Sequence, residues 1–380
     1  MSNCRPLCAL SCTVALLWLG PVAAQPAASS SETNAALKYW QAFGQLPKLD
    51  QEQEKILIEW NKAPLDGATH RLIDAGKDSL TYLQRGSKLA RCYWAMDYDD
   101  GINMLMPHLE KARTLSRLAC LRARDEFERG NVPAALDDIG AVFVLGRHVG
   151  VDPIMISILV DFAIEQSAID AVAPYLPKLS AQELKTLAMR VDALPSAATF
   201  PQSLLTEKEF FVGWLIKRIK AAEEQKKGAW LDEIRWFFNT DKESRETIKA
   251  LDPKSPAKLI ALLEGLSPYY QQIDKMLASP GDDFAARWAA FRAKAKAENP
   301  LAGLALPALD KVVAAEDRAK ARLALFKAAI AVAQSGPDAL KNYPDPFGKG
   351  PFEYRALPQG FELKSKLIYK DEPVTLTAGK

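Results

Sequence analysis

The chain has 380 residues, 48% of them hydrophobic and 25% charged, with a formal net charge of +2. Such values are ordinary for a soluble globular protein, and so balanced a charge argues against a dedicated nucleic-acid binder, which gathers basic residues on one face. The length suits two or three domains or one extended helical array.

The first residues have the form of a targeting segment. Arg5 supplies a positive start, Leu7 to Leu19 is apolar, Pro21 follows, and Val22-Ala23-Ala24 places small residues where a signal peptidase cuts. Residues 1–24 are therefore expected to be a signal peptide, and the processed chain is expected in the periplasm or outside the cell. No later run reaches the ~18 consecutive apolar residues of a transmembrane helix, so the processed chain is not expected to span a membrane. Cleavage removes Cys4, Cys8 and Cys12 and leaves Cys92 and Cys120. An even number of cysteines in an oxidising compartment leaves two readings open, a Cys92–Cys120 disulfide or two separate buried thiols.

Residues 25–34 read as a small polar tether. Ala35–Leu46 and Gln51–Lys62 are short amphipathic helices, the second opened by Asp50 as N-cap. Gly67–Leu89 reads as a longer helix, and "CYWAMDYDDG" from Cys92 to Gly101 as an ordered loop. From Pro107 to Arg129 the residues Leu109, Ala112, Leu115, Leu118, Ala119 and Arg122 recur at helical spacing. Gly130 or Asn131 ends that helix, Asn131 is placed to cap the next, and Val132–His148 returns as its antiparallel neighbour. Asp152-Pro153 opens a helix to about Val172, and Ser180 and Glu183 form a capping box for one that ends before Pro195. Pro201–Lys227 reads as one long helix. Shorter ones follow, several starting at a proline behind a capping serine (Ser255-Pro256, Ser267-Pro268), and Leu306–Gln334 closes the helical part.

From Gly350 to Lys370 the period changes. Phe352, Tyr354, Phe361, Leu363, Leu367 and Tyr369 alternate with polar residues around the turn "ALPQG", a β-hairpin pattern. A lone hairpin is marginal in water, so this one is expected to lean on the helices, and the prolines of "YPDPFGKGP" keep the last helix from running into it. The expected fold is all-α, a multi-helix array of antiparallel helical hairpins with a small C-terminal β-hairpin. Its parts are a repeat-like helical domain over 35–199, a second helical region over 200–341 and the hairpin tail over 342–380.

Signatures of chemistry are sparse. His70, His108 and His148 stand in no metal-ligand spacing, "DYDDG" departs from a calcium loop, and neither a nucleophile elbow nor a phosphate-binding glycine loop is present. No cofactor is expected. One helix, "IMISILVDFAIEQSAI", is apolar nearly all round yet carries Ser157, Asp161 and Glu165 on one stripe. Buried carboxylates need partners, and Arg113, Arg117 and Arg122 on the preceding hairpin are the candidates. Asp161 and Glu165 then form either an acid–base pair of the glycosidase type or a polar network that fixes helix register, and the second reading is preferred. Trp94, Asp97, Asp100, His108, Arg113 and Arg117 are the candidate interaction or network residues. Phe210, Phe211, Trp214, Trp230, Trp236, Phe237 and Phe238 form an aromatic group that reads as core packing ahead of a carbohydrate or peptide groove.

"ERGNVPAALDDI" resembles the inter-helix turn of tetratricopeptide repeats through Gly130, Val132, Ala135 and Leu136, without a second copy at that period. In the tail, Asp345, Pro346, Phe347, Gly348, Pro351 and Tyr354 resemble the C-terminal segment of secretion-system pseudopilins. Trp94, Asp97, Asp100-Gly101, "LMPHLEKARTLSRL" and the tail together are similar to a family of exported bacterial α-helical proteins of uncharacterised function. The first resemblance implies a protein or peptide partner and the second an accessory of an envelope secretion or pilus-like machine. The expectation is thus an exported, non-catalytic interaction or scaffold protein. The alternatives are an envelope polysaccharide or peptide hydrolase using Asp161 and Glu165, and that envelope accessory.

Overall fold

The structure, a computed structural model, describes residues 33–237, 242–251, 255–278, 284–306 and 309–379. The expected signal peptide and most of the tether lie outside the described residues. The chain is all-α apart from a small antiparallel sheet at its C-terminal end.

The first helices are α1 (Ala35–Gly44), α2 (Gln51–Ile58), α3 (Gly67–Ala75) and α4 (Lys77–Ser87). Asn34 caps α1 through the Ala36 N–H, and Asp50 with Gln53 forms a reciprocal capping box on α2. The longer helix expected over Gly67–Leu89 is two helices broken at Gly76. The break brings that backbone against the buried Leu118, so closely that a Cβ at position 76 would lie 2.3 Å from its Cδ2. Only glycine fits such an approach.

Then come α5 (Pro107–Glu128), α6 (Val132–Val149) and α7 (Met155–Val172), which pack against one another in sequence order. The turn between α5 and α6 is a Schellman motif. Gly130 sits at φ 77°, its N–H donates to the Phe127 carbonyl, and the Asn131 N–H donates to that of Glu126. Asn131 does not cap α6 with its side chain, contrary to expectation; its amide donates instead to the Glu126 carboxylate, at 2.7 Å. Beyond α7, a 3₁₀ turn (Ala173–Lys178) leads to α8 (Ala181–Asp192), which carries the expected Ser180–Glu183 capping box.

The expected long helix over Pro201–Lys227 is α9 (Phe200–Lys208) and α10 (Trp214–Gln225) joined by a π-helical turn (Glu209–Gly213). Short helices follow: α11 (Trp230–Phe237), α12 (Lys242–Leu251), α13 (Pro256–Glu264), α14 (Ser267–Ala278), α15 (Phe284–Glu298) and α16 (Ala302–Ala305). The longest helix, α17 (Leu309–Ser335), precedes the sheet, whose strands β1 (Glu353–Leu357), β2 (Gly360–Tyr369) and β3 (Glu372–Gly379) pair antiparallel in the order β1-β2-β3. The expected hairpin is the first two strands. The third returns through Lys370 and Asp371 at φ 52° and 65°, two left-handed residues that match the twist of a tight hairpin.

Two hydrophobic cores result. The first gathers the inward faces of α1 to α8, the sheet residues Phe361, Leu363, Val374, Leu376 and Ala378, and Ala321 to Val332 of α17. The second takes Met155 and Ile158 from the start of α7, α9 to α16, and Leu309, Val312 and Val313 from the start of α17. Helices α7 and α17 therefore contribute to both. The turn that opens the tail is built around Asp345. Its buried carboxylate accepts from the Phe347 N–H at 3.0 Å, the Ser365 hydroxyl at 2.9 Å and the Lys366 N–H at 2.6 Å. "YPDPFGKGP" is thus a folded clasp on β2, and the prolines leave few N–H groups to satisfy.

Candidate functional site

Ser157, Asp161 and Glu165 share the inward stripe of α7, and all three are buried, Asp161 wholly and Glu165 to 3% exposure. Their cation is Arg147, from the last turn of α6. Its Nη1 donates to Asp161 Oδ2 at 2.9 Å and Oδ1 at 3.2 Å, and its Nη2 donates to Glu165 Oε2. Burial raises both carboxyl pKa values against the pull of Arg147, that of Glu165 to about 7. The arginines proposed from sequence do other work. Arg113 pairs with Glu110 on the surface at 3.5 Å, and Arg117 joins no ion pair of this network. Arg122 clamps the buried Asp138 through Nε at 2.7 Å and Nη2 at 2.5 Å, with Gln84 donating to the same carboxylate.

Beside this network lies an aromatic and histidine cluster that holds the loop over residues 91–106. Trp94 is buried, donates from Nε1 to the His148 carbonyl at 2.8 Å, and stacks on His108 with ring centroids 4.6 Å apart. The Tyr39 hydroxyl meets His148 Nδ1 at 2.7 Å, and Trp40 lies edge-on to Trp94. Tyr98 donates to Asp152 Oδ1 at 3.2 Å, while His108 Nε2 stands 3.7 Å from Asp152 Oδ2. Burial holds both histidines neutral, lowering their pKa values to about 4, and pushes Asp152 up to about 6. Of the residues named from sequence, the structure brings Trp94 and His108 together here. Asp97 caps the 3₁₀ turn Tyr98–Asn103 through the Asp99 N–H at 3.1 Å, and Asp100 is exposed in that turn. Tyr39, His148, Asp152 and Arg147 were missed.

The Cys92–Cys120 disulfide is not formed. Both cysteines are free and buried, and burial pushes both thiols well above their ordinary pKa, so neither is a ready nucleophile. Cys92 lies near Asp152 at the loop, whereas Cys120 lies near Asp138 and Asp170. Cys120 stands twelve residues along α5 from His108, about 18 Å at the rise of an α-helix.

The loop and its neighbours α1 and α9 expose several large apolar side chains. Leu105 is 81% exposed, Leu205 72% and Tyr93 66%, with Tyr98, Ile102 and Trp40 also exposed. A cleft of about 350 Å³ is lined by Tyr98 of this loop with Leu205, Phe210 and Trp214, and rimmed by Asp99, Glu209 and Lys217. Glu209 and Phe210 of the π-helical turn line this cleft, and such turns recur at functional sites. Of the expected aromatic group, Phe210 and Trp214 line the cleft and Trp230 is core. Phe211 packs against that core, and the side chains of Trp236, Phe237 and Phe238 lie outside the described residues. A second cleft of about 340 Å³ runs between α4, α6 and α8 past Gln84, Gly140 and Arg190. A third of about 650 Å³ separates α17 from the tail at Phe347 and Tyr369. Asp161 and Glu165 line none of the three.

Among the described residues no three His, Cys, Asp or Glu side chains converge to hold a metal ion, and no helix is long and apolar enough to cross a membrane. Compared with protein-family models, curated proteins and solved structures, the chain matches none.

Proposed function

We propose that this chain is a non-catalytic helical module that docks an apolar segment of a partner protein on the loop over residues 91–106 and the cleft beside it. The observation that carries the reading is the cleft walled by Tyr98, Leu205, Phe210 and Trp214, with Leu205 72% exposed, beside a loop that also exposes Tyr93 and Leu105. Single exposed apolar residues are ordinary, but an apolar-walled cleft with a charged rim is the form of a protein–protein contact. At about 350 Å³ the cleft has room for one or two anchoring side chains. The Trp94 stack and the Tyr98–Asp152 bond fix the loop beforehand, which lowers the entropy cost of docking. The hydrolase alternative draws no support from this geometry, because Asp161 and Glu165 are buried and both engaged by Arg147. The compartment in which the partner would be met is the exported one expected from the first 24 residues.

A photo-crosslinking side chain placed at position 105 or 205 in cells is expected to give one discrete adduct, absent when the same group replaces the exposed Glu54 or Lys185 on other faces. Leu205→Glu in the Leu105 crosslinker background is expected to abolish it. The same products from all four positions, or none from 105 and 205, would remove the basis of the reading.

A further inference from the structure

The C-terminal sheet has one covered edge and one open edge. Strand β3 packs against the 3₁₀ turn Ala173–Lys178 and α17, and Arg322 donates to the Thr375 carbonyl. Strand β1 has β2 on one side and, among the described residues, no strand on the other, and Glu353 to Ala356 are exposed. Its pairing with β2 runs from Leu357↔Gly360 at the two-residue turn to Glu353↔Lys364. In such a hairpin the pair closing the turn is hydrogen-bonded and the bonded pairs alternate. Leu357, Arg355 and Glu353 therefore spend their backbone groups on β2, while Tyr354 and Ala356 turn theirs toward the open edge. Prolines 351 and 358 flank the strand and none interrupts it. An unpaired edge of this kind is a template for another strand.

The side chains select the strand. On the solvent face, Glu353 lies opposite Lys364, and Arg355 opposite Glu362 with an ion pair of 2.9 Å. On the other face Tyr354, 40% exposed, continues the row of buried Leu363 and Leu376. We propose that β1 pairs antiparallel with β1 of a second copy of this chain about a two-fold axis through Tyr354, joining two three-stranded sheets into one of six. In that register the outward groups of the two Tyr354 residues bond each other, and Glu353 of each copy faces Arg355 of the other in a close, non-bonded pair. The charges then alternate across the whole sheet, Lys364–Glu353–Arg355–Glu362, in both rows. Opposite charges directly across a pair stabilise it and like charges oppose it. The neighbouring two-fold registers, centred on Glu353 or Arg355, set like charges against each other, so the sequence selects one register. The contact is isologous and closes at two copies. It uses none of the residues of the proposed docking surface.

Cysteine trapping reads the register directly. E353C and R355C variants of the full chain, mixed under mild oxidation, are expected to cross-link to each other while neither cross-links alone, because only the 353–355 pairing falls within disulfide reach. Sedimentation velocity of the unmodified chain is expected to show a concentration-dependent dimer. Ala356→Pro, which removes an outward N–H at an exposed position, is expected to weaken that dimer tenfold or more with the helical circular dichroism unchanged. A chain that stays monomeric at millimolar concentration would overturn the proposal. So would self-cross-linking of either single variant, or trapping of a different protein in place of a second copy.

Discussion

Arg147 is the side chain on which the buried charge of the first core balances. It faces two carboxylates from a helix whose other inward positions are apolar or glycine apart from Asp138, which Arg122 holds, and His148. Removing the cation leaves both acids to be protonated or hydrated in place, so Arg147→Met is expected to destabilise the fold by about 3–5 kcal/mol. The apolar triple variant R147M/D161A/E165M should recover most of the loss, because a buried ion network contributes little beyond what well-packed apolar groups supply. Urea unfolding of the three proteins checks both points. The titrating groups nearby pull in opposite directions. His108 and His148 have folded pKa values near 4, below the ordinary 6.5, so their contribution is complete above 6.5 and is lost as pH falls through 4. Glu165, near 7, and Asp152, near 6, are raised, so theirs is complete at low pH and is lost as pH rises through those values. His108→Phe keeps a ring against Trp94 and deletes one titration. The unmodified chain is expected to lose stability relative to the variant as pH drops from 6.5 toward 4, read as urea midpoints across that range; a constant difference would show that His108 protonates freely in the fold. At this scale the sequence was half legible. The stripe of Ser157, Asp161 and Glu165 could be read because helical period alone puts three polar groups on one line. Arg147 could not, since its place near a helix end reads equally as a solvated charge favoured by the dipole.

Elements were legible where the signal was local and failed where a neighbour decided. The Ser180 capping box, the Asp50 N-cap and the left-handed Gly130 that ends α5 depend on four to six adjacent residues, and they stand in the structure as read, although Asn131 does not cap α6. The split of Gly67–Leu89 depends on Leu118, far along the chain, and no local pattern shows it. A direct consequence is that the glycines at the ends of α1 and α3 differ in kind. Gly76→Ala is expected to cost about 1–3 kcal/mol by overpacking against Leu118, which is wholly buried. Gly44→Ala, at the end of α1 with nothing within 4 Å of the added Cβ, is expected to be neutral or to stabilise by about 0.5–1 kcal/mol. Thermal or urea unfolding of the two variants separates close approach from mere helix punctuation. Strand β3 carried the alternation Val374, Leu376, Ala378, each buried, but Pro373 and a turn of Lys370 and Asp371 hid it. The usual hairpin residues Asn and Gly are absent there.

At the scale of the whole molecule, two helices tie the cores together. Met155 and Ile158 of α7 lie in the second core and Val160 and Ile164 in the first. In α17, Val312 and Val313 lie in the second core and Leu325 and Phe326 in the first. The α7 junction is reinforced by Glu207 of α9, whose carboxylate accepts the Met155 N–H at 2.8 Å and so caps α7 from the other core. A pattern reader divides a chain by stretches of sequence, whereas burial divides it by which end of a helix touches what; this is why α17 read as the close of one region. Continuous helical hydrogen bonding through α17 should make the two cores unfold together. Lys320 lies between the two buried stretches with its side chain exposed and paired with Glu316, one turn back at 3.1 Å. Lys320→Pro removes one backbone bond and sets its ring against the Glu316 carbonyl while taking no side chain out of either core, at about 3 kcal/mol. The unmodified chain is expected to melt in a single calorimetric transition and the variant in two, the lower belonging to the second core, whose helices are shorter and whose buried set is smaller. Two transitions in the unmodified chain would show that α17 does not couple the cores.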